Sequence, residues 1–172
     1  MITINIAYTA PVNPSSATPV LTQAQVWAGL QRKVRRAQDF VPIIEDCTVV
    51  SEETVPGTDN VKVTRDVQFA AGSQPADVTL NTLVREVCTS FPPCRVDFLQ
   101  PKNGNTISNI LSKDGHGDLI MTYSFEWRYS SVKPGSEEAK VLEERCWHTA
   151  KIAVLGTIDT IRRLVRDGEI MA

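Results

Sequence analysis

No stretch of the 172-residue chain approaches the ~20 consecutive apolar residues that a membrane-crossing helix requires. A dominant charge of one sign is also missing. Lysine and arginine number 18 against 20 aspartates and glutamates, a net charge of −2. A nucleic-acid binder needs a basic excess to displace counterions from phosphates, and attraction to an anionic membrane draws on the same excess. Neither partner is expected. The four cysteines, Cys47, Cys88, Cys94 and Cys146, are scattered without a C-x-x-C pair, which reads as four reduced thiols in a cytoplasmic protein. Only two histidines occur, and no His/Cys/Asp cluster has the spacing of metal ligands. Gly115-His116-Gly117 lies between strands rather than before a helix, so it is no phosphate loop, and no Gly-x-Ser-x-Gly elbow is present. The sequence therefore calls for no metal or other cofactor. A basic segment followed by an apolar run, the mark of an export signal, is absent from the first residues.

What is present is ordinary material for one globular domain spanning 1–172, with 42% apolar and 22% charged residues. Ile2, Ile4, Ile6 and Tyr8 alternate as one face of a strand. Pro11, Pro14 and Pro19 mark a loop. Thr22 and Gln25 then form a capping-box pattern ahead of Val26, Leu30 and Val34 at helical spacing, in a helix that fades by Pro42. Arg32, Arg35 and Arg36 read as its solvated face. A long β region follows. Val61, Val63, Arg65, Val67 and Phe69 share one strand face; Val78–Thr89 is β-rich but ambiguous in phase. Extended segments at Arg95–Gln100 and Ile107–Ser112 are joined by a turn at Asn103-Gly104. The clearest strand puts Leu119, Met121, Tyr123, Phe125, Trp127 and Tyr129 in one row. Ser136, with Glu137 and Glu138 behind it, caps a final helix that runs to Asp167 and stops at Gly168. Its length is about 45 Å, and many residues of its apolar stripe (Leu142, Cys146, Ala150, Ala153, Ile161, Leu164) are small. The order strand, helix, about six strands, long helix implies an α+β antiparallel meander whose apolar face only the last helix is long enough to cover.

Several segments also resemble a known family: Thr3–Pro14, Leu21-Thr22-x-x-Gln25-Val26-Trp27-x-Gly29-Leu30, Arg95-Val96-Asp97-Phe98, Met121–Arg128 and Gly135-Ser136-Glu137-Glu138. They are similar to the family named after the acetylaranotin-cluster protein L of fungi, within the START and birch-pollen-allergen-like helix-grip superfamily. The resemblance spans nearly the whole chain. It implies a curved sheet of about seven strands wrapped around the long helix, one or two short helices after the first strand, and a link to fungal secondary metabolism. It carries no catalytic signature over to positions here, and superfamily members include carriers, aromatases/cyclases and alkaloid-forming enzymes, among which fold alone does not choose.

Candidate chemistry rests on polar residues set on apolar strand faces. Arg65 is flanked by valines and a phenylalanine; it reads either as a group that polarises a ligand carbonyl or as half of a structural bridge to Glu86. Tyr123, in the aromatic row, is a candidate acid or an ordinary packed phenol. Glu86 and Asn109 are candidate polar ligand contacts, with Phe98, Phe125 and Trp127 as apolar walls and Trp147 closing one end. Lys151, at the margin of the helix stripe, reads as a surface lysine rather than a Schiff-base former. Two functions follow as expectations. One is binding of an apolar small molecule with cofactor-independent cyclisation, dehydration or isomerisation of a polyketide-like or other secondary metabolite. The alternative is a non-catalytic carrier or storage protein for a hydrophobic ligand. A homodimer stays open.

Overall fold

The computed structural model describes residues 1–70 and 83–171. Strand β1 (Ile2–Pro11) buries Ile4, Ile6 and Ala10, with Tyr8 half-buried on the same face, and exposes Asn5, Ala7 and Thr9, as the alternation requires. The proline loop is tied down by side chains. Asn13 exchanges two hydrogen bonds with the backbone of Leu21, at 2.9 and 2.8 Å, and Arg162 donates to the carbonyls of Val12 and Pro19. Helix α1 (Gln23–Arg35) opens with both halves of the capping box between Thr22 and Gln25. It ends earlier than the sequence suggests. A single 3-10 turn at Ala37–Asp39 takes over, where Asp39 binds both Arg32 and Arg36 at 2.9 Å.

Six strands follow: β2 (Ile44–Thr54), β3 (Val61–Phe69), β4 (Leu83–Phe91), β5 (Arg95–Leu99), β6 (Thr106–Lys113) and β7 (Leu119–Tyr129). All neighbours are antiparallel, in the order β1-β7-β6-β5-β4-β3-β2. The first strand thus skips the second and pairs with the seventh, with Ile2 opposite Tyr129 and Ile6 opposite Phe125. The phase of β4 is resolved by burial: Glu86, Cys88 and Ser90 face inward. Residues 78–82 of the expected β-rich segment lie outside the described residues.

Helix α2 (Glu137–Arg166) is capped by the Ser136 hydroxyl, which accepts from the Ala139 amide at 3.2 Å. At its far end Gly168 turns the chain at φ +75°, a conformation that costs a Cβ-bearing residue, and the amides of Gly168 and Glu169 satisfy the carbonyls of Val165 and Leu164. The helix packs on β1 and β7 through Cys146, Ala150, Val154, Ile158, Ile161 and Leu164. Helix α1 lies against it so closely at Gly29 that an added methyl would collide with Ile161. The sheet, in short, holds α2 along its inner face, and α1 packs against α2 and against β2, β3 and β6.

Candidate functional site

The sheet and α2 do not fill all the space between them. A cavity of about 540 Å³ remains, within the range that small-molecule sites occupy. Its walls are mostly apolar: Phe98 from β5, Ile107 from β6, Phe125 and Trp127 from β7, with Leu142, Cys146 and Ala153 from α2 opposite. Phe125 and Trp127 are stacked with ring centroids 4.4 Å apart, and Tyr123 meets Phe125 edge-on at 6.1 Å. Lys102, Arg128 and Arg145 are exposed at the mouth.

The closed end is polar. Asn109 on β6 pairs across the strands with Tyr123 on β7, and both side chains are 1% exposed. Lys33, in the last turns of α1, reaches in from the opposite side. Its Nζ donates to the Tyr123 hydroxyl at 3.0 Å and to Thr157 Oγ1, on α2, at 3.2 Å, and lies 4.5 Å from the tyrosine ring centroid. Among the described residues, no carboxylate bonds this ammonium. Burial therefore brings Lys33 down to about 7, helped by the nearby Arg65 cation and opposed by Glu86. Burial raises the Tyr123 phenol well above its usual range, so it remains a hydroxyl and a donor. Asn109 is different again: neither its amide nitrogen nor its carbonyl oxygen meets a hydrogen-bond partner among the described residues. A buried amide with both ends unmet costs on the order of 1–3 kcal/mol per group, which a stable fold tolerates where something else supplies the bonds.

Arg65 and Glu86 sit at the same end, directly opposite each other in the β3–β4 register. Arg65 Nε and Nη2 donate to Glu86 Oε2 at 3.0 and 2.6 Å. Nη1 donates to the carbonyls of Lys33 and Val34 at 2.7 and 2.9 Å, capping the otherwise unpaired C-terminal end of α1. Glu86 Oε1 accepts in turn from Gln100 at 3.0 Å. The Arg65–Glu86 bridge that the sequence allowed is present, and Nε, Nη1 and Nη2 of Arg65 each donate to a protein partner. Burial disfavours the guanidinium charge, but Glu86 and Cys88 outweigh it and hold its value above the ordinary one.

Of the residues expected from the sequence, Arg65, Glu86, Phe98, Asn109, Tyr123, Phe125 and Trp127 all line this one cavity. Trp147 does not. It is 47% exposed, because one residue step turns it about 100° from inward-facing Cys146. Leu142 and Cys146 form that stretch of wall in its place. Lys33 was missed, hidden in a run of basic residues. The available signal was its position seven residues after Val26 and three after Leu30, on the buried stripe of α1.

A curved antiparallel sheet gripping a long C-terminal helix around a cavity defines a helix-grip protein. Solved structures agree on the fold. The aromatase/cyclase Zhui from Streptomyces sp. R1128 matches with a TM-score of 0.56 at 13% identity, over 99% of this chain and 100% of that one. The di-domain aromatase/cyclase StfQ of the steffimycin biosynthetic pathway matches with a TM-score of 0.60 at 14% identity over 97% of this chain, which spans about half (52%) of that protein. Ara h 8.0201 matches with a TM-score of 0.53 at 12% identity, over 96% of this chain and 98% of its own. Residues 6–168 match the family described as acetylaranotin biosynthesis cluster protein L, and the chain belongs to that family. The protein of that name from Aspergillus terreus is 27% identical over 166 residues, covering 96% of this chain and 92% of the relative.

Proposed function

We propose that the protein binds a largely apolar, carbonyl-bearing secondary metabolite in this cavity and promotes its cofactor-independent cyclisation or dehydration. The observation that carries the reading is the Asn109 amide, fully buried beside Tyr123 and lacking partners among the described residues for both of its polar ends. An amide so placed is matched by a ligand that offers both a carbonyl and an enol or hydroxyl. Tyr123 supplies a hydroxyl held in place by Lys33 and able to donate to a carbonyl oxygen as negative charge develops on it. The aromatic walls confine a folded chain near its reactive shape. Membership of a biosynthetic-cluster family and the likeness of fold to two aromatase/cyclases support the same reading.

A 1-aryl-1,3,5-triketone tests it, because closure to the pyrone releases water and is visible in the ultraviolet. Wild-type protein is expected to accelerate closure, Tyr123→Phe to lose most of the acceleration, and Asn109→Leu to weaken binding of the triketone. Binding of the triketone without any acceleration by the wild type would remove the catalytic half and leave a carrier, the function that the mainly apolar walls by themselves support.

A further inference from the structure

Lys33 is the residue whose placement the carbonyl-binding role does not use up. Its ammonium lies at the closed end of an apolar cavity and, among the described residues, faces no carboxylate within bonding distance and is held by two neutral hydroxyls. A lysine kept solely for stability would be better served by an apolar side chain of similar length, since desolvating its charge costs several kcal/mol. The nearest buried carboxylate, Glu86, is occupied by Arg65 and Gln100. Titratable and charged groups facing Lys33 are therefore Arg65, Glu86, Cys88 and Tyr123; burial pushes the Cys88 thiol up to about 12, so neither it nor the phenol is ionised near neutrality.

We propose that Lys33 is a carbonyl-capturing amine, whose Nζ takes an aldehyde or ketone group of the ligand as an imine while Asn109 and Tyr123 orient the carbonyl. The step balances without an oxidant or reductant. The nitrogen lone pair forms a bond to the carbonyl carbon as the C=O π pair moves onto oxygen. That oxygen takes up two protons, one released by the nitrogen after attack and one from water relayed through Tyr123, and leaves as water when the nitrogen lone pair closes the C=N bond as a protonated imine. Tyr123, 3.0 Å from the nitrogen, is placed to relay a proton to the departing oxygen. Where the carbon next to the carbonyl carries hydrogen, loss of a proton from it to water or a neighbouring base gives an enamine. That carbon then attacks a second carbonyl of the same chain, and hydrolysis returns the free amine. Because burial holds Lys33 near neutrality, a substantial fraction carries the lone pair at pH 7, unlike an exposed lysine.

This inference rests on the carbonyl-ligand reading, and its test separates the two. The full chain is incubated at pH 7 with 6-methoxy-2-naphthaldehyde and sodium cyanoborohydride, and the reduced adduct is located by peptide mass mapping. Occupancy of the cavity is followed independently by fluorescence of N-phenyl-1-naphthylamine. The expected result is one adduct at Lys33, forming about tenfold or more faster than at exposed Lys133 or Lys140, and suppressed by saturating N-phenyl-1-naphthylamine. Lys33→Gln removes the adduct; Lys33→Arg, which keeps a cation on the same hydroxyls, binds the naphthylamine and also gives no adduct. Labelling of Lys33 no faster than that of the exposed lysines, in protein that binds the naphthylamine, overturns the imine and leaves the cavity reading standing. Failure to bind either probe overturns both.

Discussion

Replacing Lys33 by methionine isolates what the buried amine costs the fold. The ordinary lysine value is 10.5 and burial brings Lys33 to about 7, a gap worth ~5 kcal/mol at about 1.4 kcal/mol for each pH unit. Below pH 7 the amine is charged in both folded and unfolded chains, and the folded state bears the full cost of the desolvated charge. Between pH 7 and 10.5 the unfolded chain holds a proton that the folded chain has released, so stability rises with pH. Above that window both forms are neutral and the effect has run its course. Lys33→Met has no such titration. It also loses the bonds to Tyr123 and Thr157, about 1 kcal/mol each, but that offset does not depend on lysine ionisation. The informative quantity is thus the difference between wild type and variant as pH changes. Urea unfolding followed by tryptophan fluorescence at pH 6, 7, 8 and 9 is expected to show the wild type gaining on the variant by roughly 2 kcal/mol between pH 7 and 9. A difference that stays constant, or that moves the other way, refutes the claim that Lys33 is held near neutrality by burial.

Arg65→Met leaves Glu86 as a buried, half-paired carboxylate and uncaps the last carbonyls of α1; a loss of about 3–5 kcal/mol is expected, read as a lower urea midpoint. Asn109→Leu removes two unmet polar atoms at the cost of ligand contacts, so thermal stability should rise by about 1–2 kcal/mol while triketone affinity falls. Gly29→Ala places a methyl against Ile161 where α1 meets α2, and is expected to cost about 1–3 kcal/mol, seen as a Tm several degrees lower.

How much of this could be read beforehand depends on where each residue sits. The row from Leu119 to Tyr129 alternates without interruption because one face of β7 is buried along its length, and Arg65 and Glu86 could be paired because β3 and β4 are hairpin neighbours in register. The boundaries of α2 were legible because Ser136 and Gly168 act through local backbone chemistry. Strand β2 left no such trace. It is an edge strand whose residues after Ile44 are mostly exposed, so no face imposes an alternation. Trp147 was misplaced because one residue step on a helix outweighs the preference of a large indole for burial. Lys33 was overlooked because charge dominates the local pattern of Arg32, Arg35 and Arg36, whereas its burial is decided by α2 and β7, far away in sequence. Residues that act locally announce themselves; the polar end of the cavity is assembled from six elements (α1, β3, β4, β6, β7 and α2) and does not.

The pairing of β1 with β7 has a consequence for how the chain reaches this state. Ile2 and Ile6 find their partners only in Tyr129 and Phe125, so during synthesis the first strand waits, apolar face uncovered, until nearly the whole sheet has been made. The meander from β2 to β7 forms by neighbour-to-neighbour hairpins, whereas docking of β1 and α2 closes a loop almost as long as the domain. That closure is expected to be the slow event and the one most exposed to aggregation. The cavity has no inner wall until it occurs, so an apolar compound present during folding meets an open, sticky sheet rather than a binding site. Ligand added to a refolding mixture is accordingly expected to act first on yield and only afterwards as a tenant of the finished pocket.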